Sequence, residues 1–246
     1  MTAFTPKANL AMKAWKTVAE YFTHFLVDPV ELVVTGTDAN AAITIKDAAG
    51  GGYGVLTSGG DSVGDNDGVI LKTPGEIFKF DDNGFAIRSQ IAFTPSGGNV
   101  DNIMPVGVMS GVTHLTFLGD DGAGPPADYW GAAIYKVDGG TTWICEVSNG
   151  TNQQTLDTGI AADGTEATFE IEYKPAVGAP AYGEVAFRIN GELIRQPGTF
   201  AREHFKPEFS LTSATEMLGL IGVKCGSAAE KSIDINAFGF AIGLDN

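Results

Sequence analysis

Glu170 and Glu172 stand two residues apart in Phe169-Glu170-Ile171-Glu172-Tyr173, a run that alternates apolar and acidic side chains. Alternate residues of a strand share a face, so the two carboxylates point the same way. Two carboxylates flanking a glycosidic bond, one of them kept protonated by its setting, are what glycoside hydrolysis requires. Two other acidic groups, Asp65-Asn66-Asp67-Gly68 and Asp120-Asp121-Gly122, offer the oxygens that calcium takes as ligands.

Neither chemistry closes. Sandwich glycosidases of the laminarinase type carry Glu-x-Asp-x-x-Glu along one strand. Here the run continues Tyr173-Lys174-Pro175, so the middle Asp and the last Glu are missing, and the pair reads as a solvated strand face. The Asp-rich groups lack a calcium-loop spacing and a distant Glu ligand, and Asp, Asn and Gly are what turns require. His24, His114 and His204 fall in separate segments, with no H-E-x-x-H and no G-x-S-x-G. The glycines at 50–54 and 59–64 do not lead from a strand into a Lys-bearing helix, which sets aside a phosphate loop. Cys145 and Cys225 are the only cysteines and have no metal spacing, so they read as two small buried thiols. Tyr129, Trp130 and Trp143 could stack on a sugar, but a sandwich core also needs large aromatics.

The elements that would position these groups are mostly strands. Phe85, Ile87, Ser89, Ile91 and Phe93 alternate with Ala86, Arg88, Gln90 and Ala92. Ala167 to Tyr173 and Val185 to Ile189 alternate in the same way, and Asn190-Gly191 gives a tight hairpin turn into Glu192 to Arg195. Asp138-Gly139-Gly140 marks a second hairpin. Further strands are expected at 31–35, 41–46, 53–57, 68–72, 103–109, 114–118, 218–223 and 232–242. Loops rich in Gly, Pro, Asp and Asn are expected at 58–67, 94–102, 119–128, 174–182 and 196–206. The N-terminal segment differs. Leu10 to Leu26 has no Gly or Pro, and its apolar residues collect on one face of a helix. Thr5-Pro6 supplies a start and Asp28-Pro29 a stop. This predicts an amphipathic helical arm within residues 1–30, whose residues Trp15, Val18, Phe22, Phe25 and Leu26 are candidates for docking on a partner, and a β-sandwich over 31–246.

Composition agrees with a folded all-β body. The chain has 246 residues, 43% of them apolar and only 18% charged, with 33 Gly. Many glycines and short apolar runs suit short strands joined by turns. Thirty acidic against 15 basic residues give a formal net charge of −15, which repels nucleic-acid phosphates and anionic membrane surfaces. No leader pattern and no run of membrane-spanning length is read from the sequence.

The order of these pieces resembles a known family. Gly51 to Gly59 is followed by Asp65-Asn66-Asp67, the strand Phe85–Phe93, Asp101-Asn102 with Val106-Gly107-Val108, and Asp128-Tyr129-Trp130-Gly131. Phe169 to Tyr173, Val185 to Gly191 and Ile233-Asp234-Ile235 close the series. Over about residues 31–246 this is similar to the laminin-G-like, or concanavalin-A-like, jelly rolls of tailed-phage head decoration (cement) proteins. The last strand departs from that pattern, ending Ala241-Ile242-Gly243-Leu244 rather than in a basic residue. The resemblance implies an antiparallel two-sheet jelly-roll sandwich with no enzymatic activity and no cofactor. It also implies a virion protein on the outer capsid surface, made in the host cytoplasm, that bridges subunits of the major capsid protein and assembles as a homotrimer. A carbohydrate-binding module or lectin shares the fold and is the alternative, ahead of a laminarinase-type hydrolase.

Since no ligand set closes around a metal, thermal melts with and without EDTA should coincide. A marked loss of melting temperature in EDTA would reveal a cation site.

Overall fold

The computed structural model describes residues 16–23, 31–48, 51–60, 63–81, 83–95, 101–120, 123–175, 183–195, 207, 209–211 and 213–244. In chain order the strands are β1 (Lys16–Thr23), β2 (Val33–Gly36), β3 (Ala42–Ala48), β4 (Gly51–Thr57), β5 (Gly68–Lys72), β6 (Phe85–Phe93), β7 (Asp101–Met109) and β8 (Trp130–Lys136). They continue with β9 (Thr142–Asn149), β10 (Gln153–Ala161), β11 (Ala167–Lys174), β12 (Glu184–Ile189), β13 (Glu192–Leu193), β14 (Leu218–Cys225) and β15 (Ser232–Leu244). All pairings are antiparallel. One sheet has eight strands, in the order β13-β12-β11-β6-β15-β4-β3, with β1 also paired to β15; the other has seven, in the order β10-β9-β8-β7-β14-β5-β2. The protein is an all-β, two-sheet jelly-roll sandwich.

Period-two alternation builds the core. Phe85, Ile87, Ile91 and Phe93 of β6 and Phe169, Ile171 and Tyr173 of β11 face Val106 and Val108 of β7, Ile134 of β8 and Cys145 and Val147 of β9. Ser89 shares the buried face of β6, and its hydroxyl donates to the carbonyl of Pro105 at 2.6 Å. Pro105 is in the middle of a central strand, where it has no N–H to give a ladder. The register of β7 shifts between Ile103 and Val106 on the β8 side, and between Leu220 and Gly222 of β14 on the other, so the proline falls at an irregularity.

The expected N-terminal helix is corrected here. Lys16–Thr23 is a strand antiparallel to β15, with Tyr21 opposite Phe240 and Phe22 opposite Gly239, so part of the expected arm belongs to the body's own sheet. The reason lies in β15. It is 13 residues long, and β6 pairs along one edge. On the other edge β4 covers only Ser232–Ile235, and β1 supplies partners for Phe238–Leu244. Without β1 those backbone groups would lack a ladder. Thr17, Val18, Tyr21, Phe22 and Thr23 are residue types that favour strands, so local preference does not oppose the pairing. The Tyr21 ring stacks on Phe240 at 5.5 Å between centroids. Of the proposed docking residues, Val18 and Phe22 lie in β1, Val18 at a register shift. Trp15, Phe25 and Leu26 lie outside the described residues.

Two other expectations change. The strand expected at 114–118 is a chain of turns, closed by Phe117 N–H to Thr113 O at 3.0 Å. Conversely β10, which the pattern did not announce, is a nine-residue edge strand.

Replacing Tyr21 with Ala removes the stack on Phe240 and part of the apolar cover of β15. The expected loss is about 2 kcal/mol in urea unfolding. An unchanged midpoint would mean that β1 adds nothing to the sheet.

Candidate functional site

The outer face of the seven-stranded sheet is where chemistry-bearing and apolar side chains collect. Alternation turns Ile70 of β5, Met104 of β7, Ala133 and Tyr135 of β8, and Leu220 of β14 away from the core, into a second buried cluster. An apolar sheet face needs a cover. The cover is formed by residues 110–120 and 123–129 of the β7–β8 connection, a strap that lays Val112, Phe117, Leu118 and Tyr129 on the sheet. Two glycines permit the close approach. A Cβ on Gly68 would come within 2.1 Å of the His114 carbonyl oxygen, and one on Gly222 within 2.6 Å of the Phe117 ring.

Two buried ionisable side chains, one basic and one acidic, fasten the strap. Lys224, 1% exposed, donates from Nζ to the carbonyls of Leu115 (2.8 Å) and Leu118 (2.9 Å) and to Asp120 Oδ1 (2.5 Å). At the far end Glu146 of β9, 3% exposed, accepts the Tyr129 hydroxyl on Oε1 (3.0 Å) and the Tyr135 hydroxyl on Oε2 (2.8 Å). Gln153 Nε2 donates to Glu146 Oε1 (3.2 Å) and to the Pro126 carbonyl (2.8 Å), tying strap, β9 and β10 together. Burial pushes the Glu146 carboxyl above its ordinary range, against the opposing pull of the two hydroxyl donors. Burial beside that carboxylate raises both tyrosines.

Another polar group closes one end of the sandwich. Lys231 Nζ is 3.4 Å from Asp101 Oδ1, and Lys136 Nζ donates to the Asp101 carbonyl at 2.8 Å. Burial lowers the Lys136 pKa. A carboxylate already faced by two ammonium groups does not offer a cation a site. Among the described residues no group of three or more His, Cys, Asp or Glu could hold a metal ion.

The residues singled out from the sequence are dispersed. Glu170 and Glu172 do share a face of β11, on the outside of the eight-stranded sheet. They are not a solvated face: Glu172 is 3% exposed, and Arg188 Nη1 of β12 binds Glu170 Oε1 at 2.6 Å and Glu172 Oε2 at 2.8 Å. Arg188 is the cross-strand partner of Glu170, so pairing of β11 with β12 delivers the guanidinium, which occupies oxygens that a general acid or base would use. Asp65-Asn66-Asp67 forms a turn, with Asn66 at φ 71° and Asp67 Oδ2 accepting the Gly64 N–H at 2.6 Å. Cys145 and Cys225 are free and buried. Trp143 lies in the core, edge-on to Phe169 at 4.8 Å, and Tyr129 belongs to the strap and is buried against the sheet. His114 is in the strap; His24 and His204 lie outside the described residues. Glu146, Lys136 and Lys224 were not singled out from sequence, although each is the one charged residue of an otherwise uncharged interior run: Trp143 to Ser148, Trp130 to Val137 and Leu218 to Cys225.

This architecture has relatives in fold. The endo-1,3-beta-glucanase from Streptomyces sioyaensis aligns over 94% of this chain and 97% of its own at TM-score 0.57 and 8% identity. The carbohydrate recognition domain of Emp47p aligns over 91% and 96% at TM-score 0.55 and 12% identity. The endo-beta-1,4-glucuronan lyase from the fungus Trichoderma reesei aligns over 94% and 96% at TM-score 0.53 and 8% identity. The class is therefore the concanavalin-A-like jelly roll, whose structural neighbours here include a lectin-type domain and glycan-degrading enzymes. At these identities the likeness concerns the fold alone. No family model and no curated relative matches the chain.

Replacing Lys224 with Met leaves the Leu115 and Leu118 carbonyls without their donor, at a cost of about 1–3 kcal/mol. Limited proteolysis with mass spectrometry should then cut within 119–128 at protease levels that leave the parent chain intact. An unchanged digestion pattern would show that Lys224 does not hold the strap.

Proposed function

We propose that this chain is a non-catalytic binding module that decorates the outer surface of a phage capsid and bridges subunits of the major capsid protein as a homotrimer. The observation that carries the non-catalytic half is the strap. It fills the outer face of the seven-stranded sheet with the chain's own Phe117, Leu118 and Tyr129, and Glu146 beneath it is fully engaged. The paired carboxylates Glu170 and Glu172 are held by Arg188. What remains is a rigid acidic body suited to binding through its surface. The capsid half rests on the resemblance in the order of sequence motifs from Gly51 to Ile235, and the net charge of −15 fits a particle exterior that must stay soluble. A carbohydrate-binding module is the second reading, favoured by the likeness of fold to the Emp47p recognition domain.

Mass spectrometry of density-purified virus particles from the source should recover the chain in fixed proportion to the major capsid protein, and light scattering of the isolated chain should give a trimer. Recovery only in the particle-free fraction, together with saturable binding on a glycan array, would replace the capsid reading with the carbohydrate one. Hydrolysis of a β-glucan that vanishes in Glu146→Gln or Glu172→Gln would overturn both.

A further inference from the structure

Glu146 is a buried carboxyl group whose described neighbours include no cation. From the strap it meets Tyr129, from β8 Tyr135 and from β10 Gln153; its own neighbour Cys145 points into the core. A charge buried without a counter-charge is expensive, and hydroxyl and amide donors offset only part of the cost. Two of these contacts, Tyr129 and the Gln153 amide shared with the Pro126 carbonyl, are the ones that fasten the distal end of the strap. The protonation of one carboxyl group is thereby coupled to whether the strap lies down.

We propose that the strap is a pH-sensitive cover over the apolar outer face of the seven-stranded sheet, held most firmly when Glu146 is protonated and loosened when it ionises. Opening it would expose Met104, Met109, Leu218 and Leu220. The closed strap raises the pKa of Glu146. The closed state therefore binds the proton more tightly than the open one. This contribution to closure is complete below the open-state pKa and is lost as pH rises through the raised one. His114, also in the strap, acts in the opposite sense: burial and then Lys72 lower its pKa, so its protonation opposes closure in acid. At the other fastening, Asp120 is the exposed partner of the buried Lys224.

Hydrogen exchange of the full chain, corrected for intrinsic rates, reads strap opening in peptides spanning 117–129, with β6 peptides as the internal reference. Between about pH 5.5 and about pH 8, the ratio of opening in the parent chain to that in Glu146→Gln should rise severalfold as Glu146 ionises. Tyr135→Phe removes one donor to the carboxylate, and its own opening should rise with pH more steeply than the parent's. This variant decides the matter if Glu146→Gln does not fold. A parent-to-Gln ratio that is constant with pH, or a Tyr135→Phe slope no steeper than the parent's, overturns the proposal.

Discussion

A β-sheet has two faces, and packing two sheets together buries one face of each. The seven-stranded sheet carries apolar residues on both. Its inner side meets the core through Val106, Ile134 and Val147, and its outer side carries Ile70, Met104, Ala133 and Leu220. The chain must therefore cover that outer face itself, and much else follows from this. The β7–β8 connection becomes a strap. Gly68 and Gly222 become positions where a side chain would collide with it. The backbone carbonyls of the strap, pressed against an apolar surface, need donors from below, and Lys224 supplies them.

The same constraint accounts for the buried charges. An ammonium in a sheet interior is tolerated when acceptors surround it, and Lys224 has three. Glu146 is the converse case, a carboxylate with three donors and no cation among them. On the outer face of the eight-stranded sheet, Arg188 neutralises Glu170 and Glu172 by direct pairing across β11 and β12. Under the strap, Glu146 meets only hydroxyl and amide dipoles, while Lys224 meets two carbonyls and the Asp120 carboxylate. A carboxyl group met only by hydroxyls and an amide lacks a counter-charge, so burial raises its pKa.

The sandwich was legible in the sequence because β6 and β11 keep a period-two alternation along their length. Phe85, Ile87, Ser89, Ile91 and Phe93 are all buried, as their spacing required. The misreadings have distinct physical origins. In β1, aromatic and β-branched residues are spaced so that helix and strand both give an apolar face, and only the open edge of β15, more than 200 residues away, decides between them. β10 was overlooked because an edge strand with Gln, Thr, Asp and Gly on its exposed side lacks the large apolar alternation of a central strand. The segment 114–118 has a strand's composition, yet Phe117 and Leu118 are buried through turns. At the level of sites, spacing put Glu170 and Glu172 on one face, but nothing local announced Arg188 as their partner. Likewise Tyr129, Tyr135 and Glu146 meet only because strap, β8 and β9 converge. Sequence spacing reveals which residues share an element's face; it does not reveal which loop will lie across that face.

The strap also bears on how far likeness of fold can be carried. A glycan-degrading enzyme must admit a polymer to a surface and hold a carboxyl group against it. This sheet has a carboxyl group of raised pKa, which taken alone would suggest a general acid. Its oxygens are however directed at Tyr129, Tyr135 and Gln153, and the space above them is filled by the chain's own strap. The same perturbed group that would mark a catalytic centre in an open cleft marks a fastening when it is enclosed. Accessibility, rather than the pKa itself, separates the two roles, and here Tyr129 of the strap lies against the Glu146 carboxyl group.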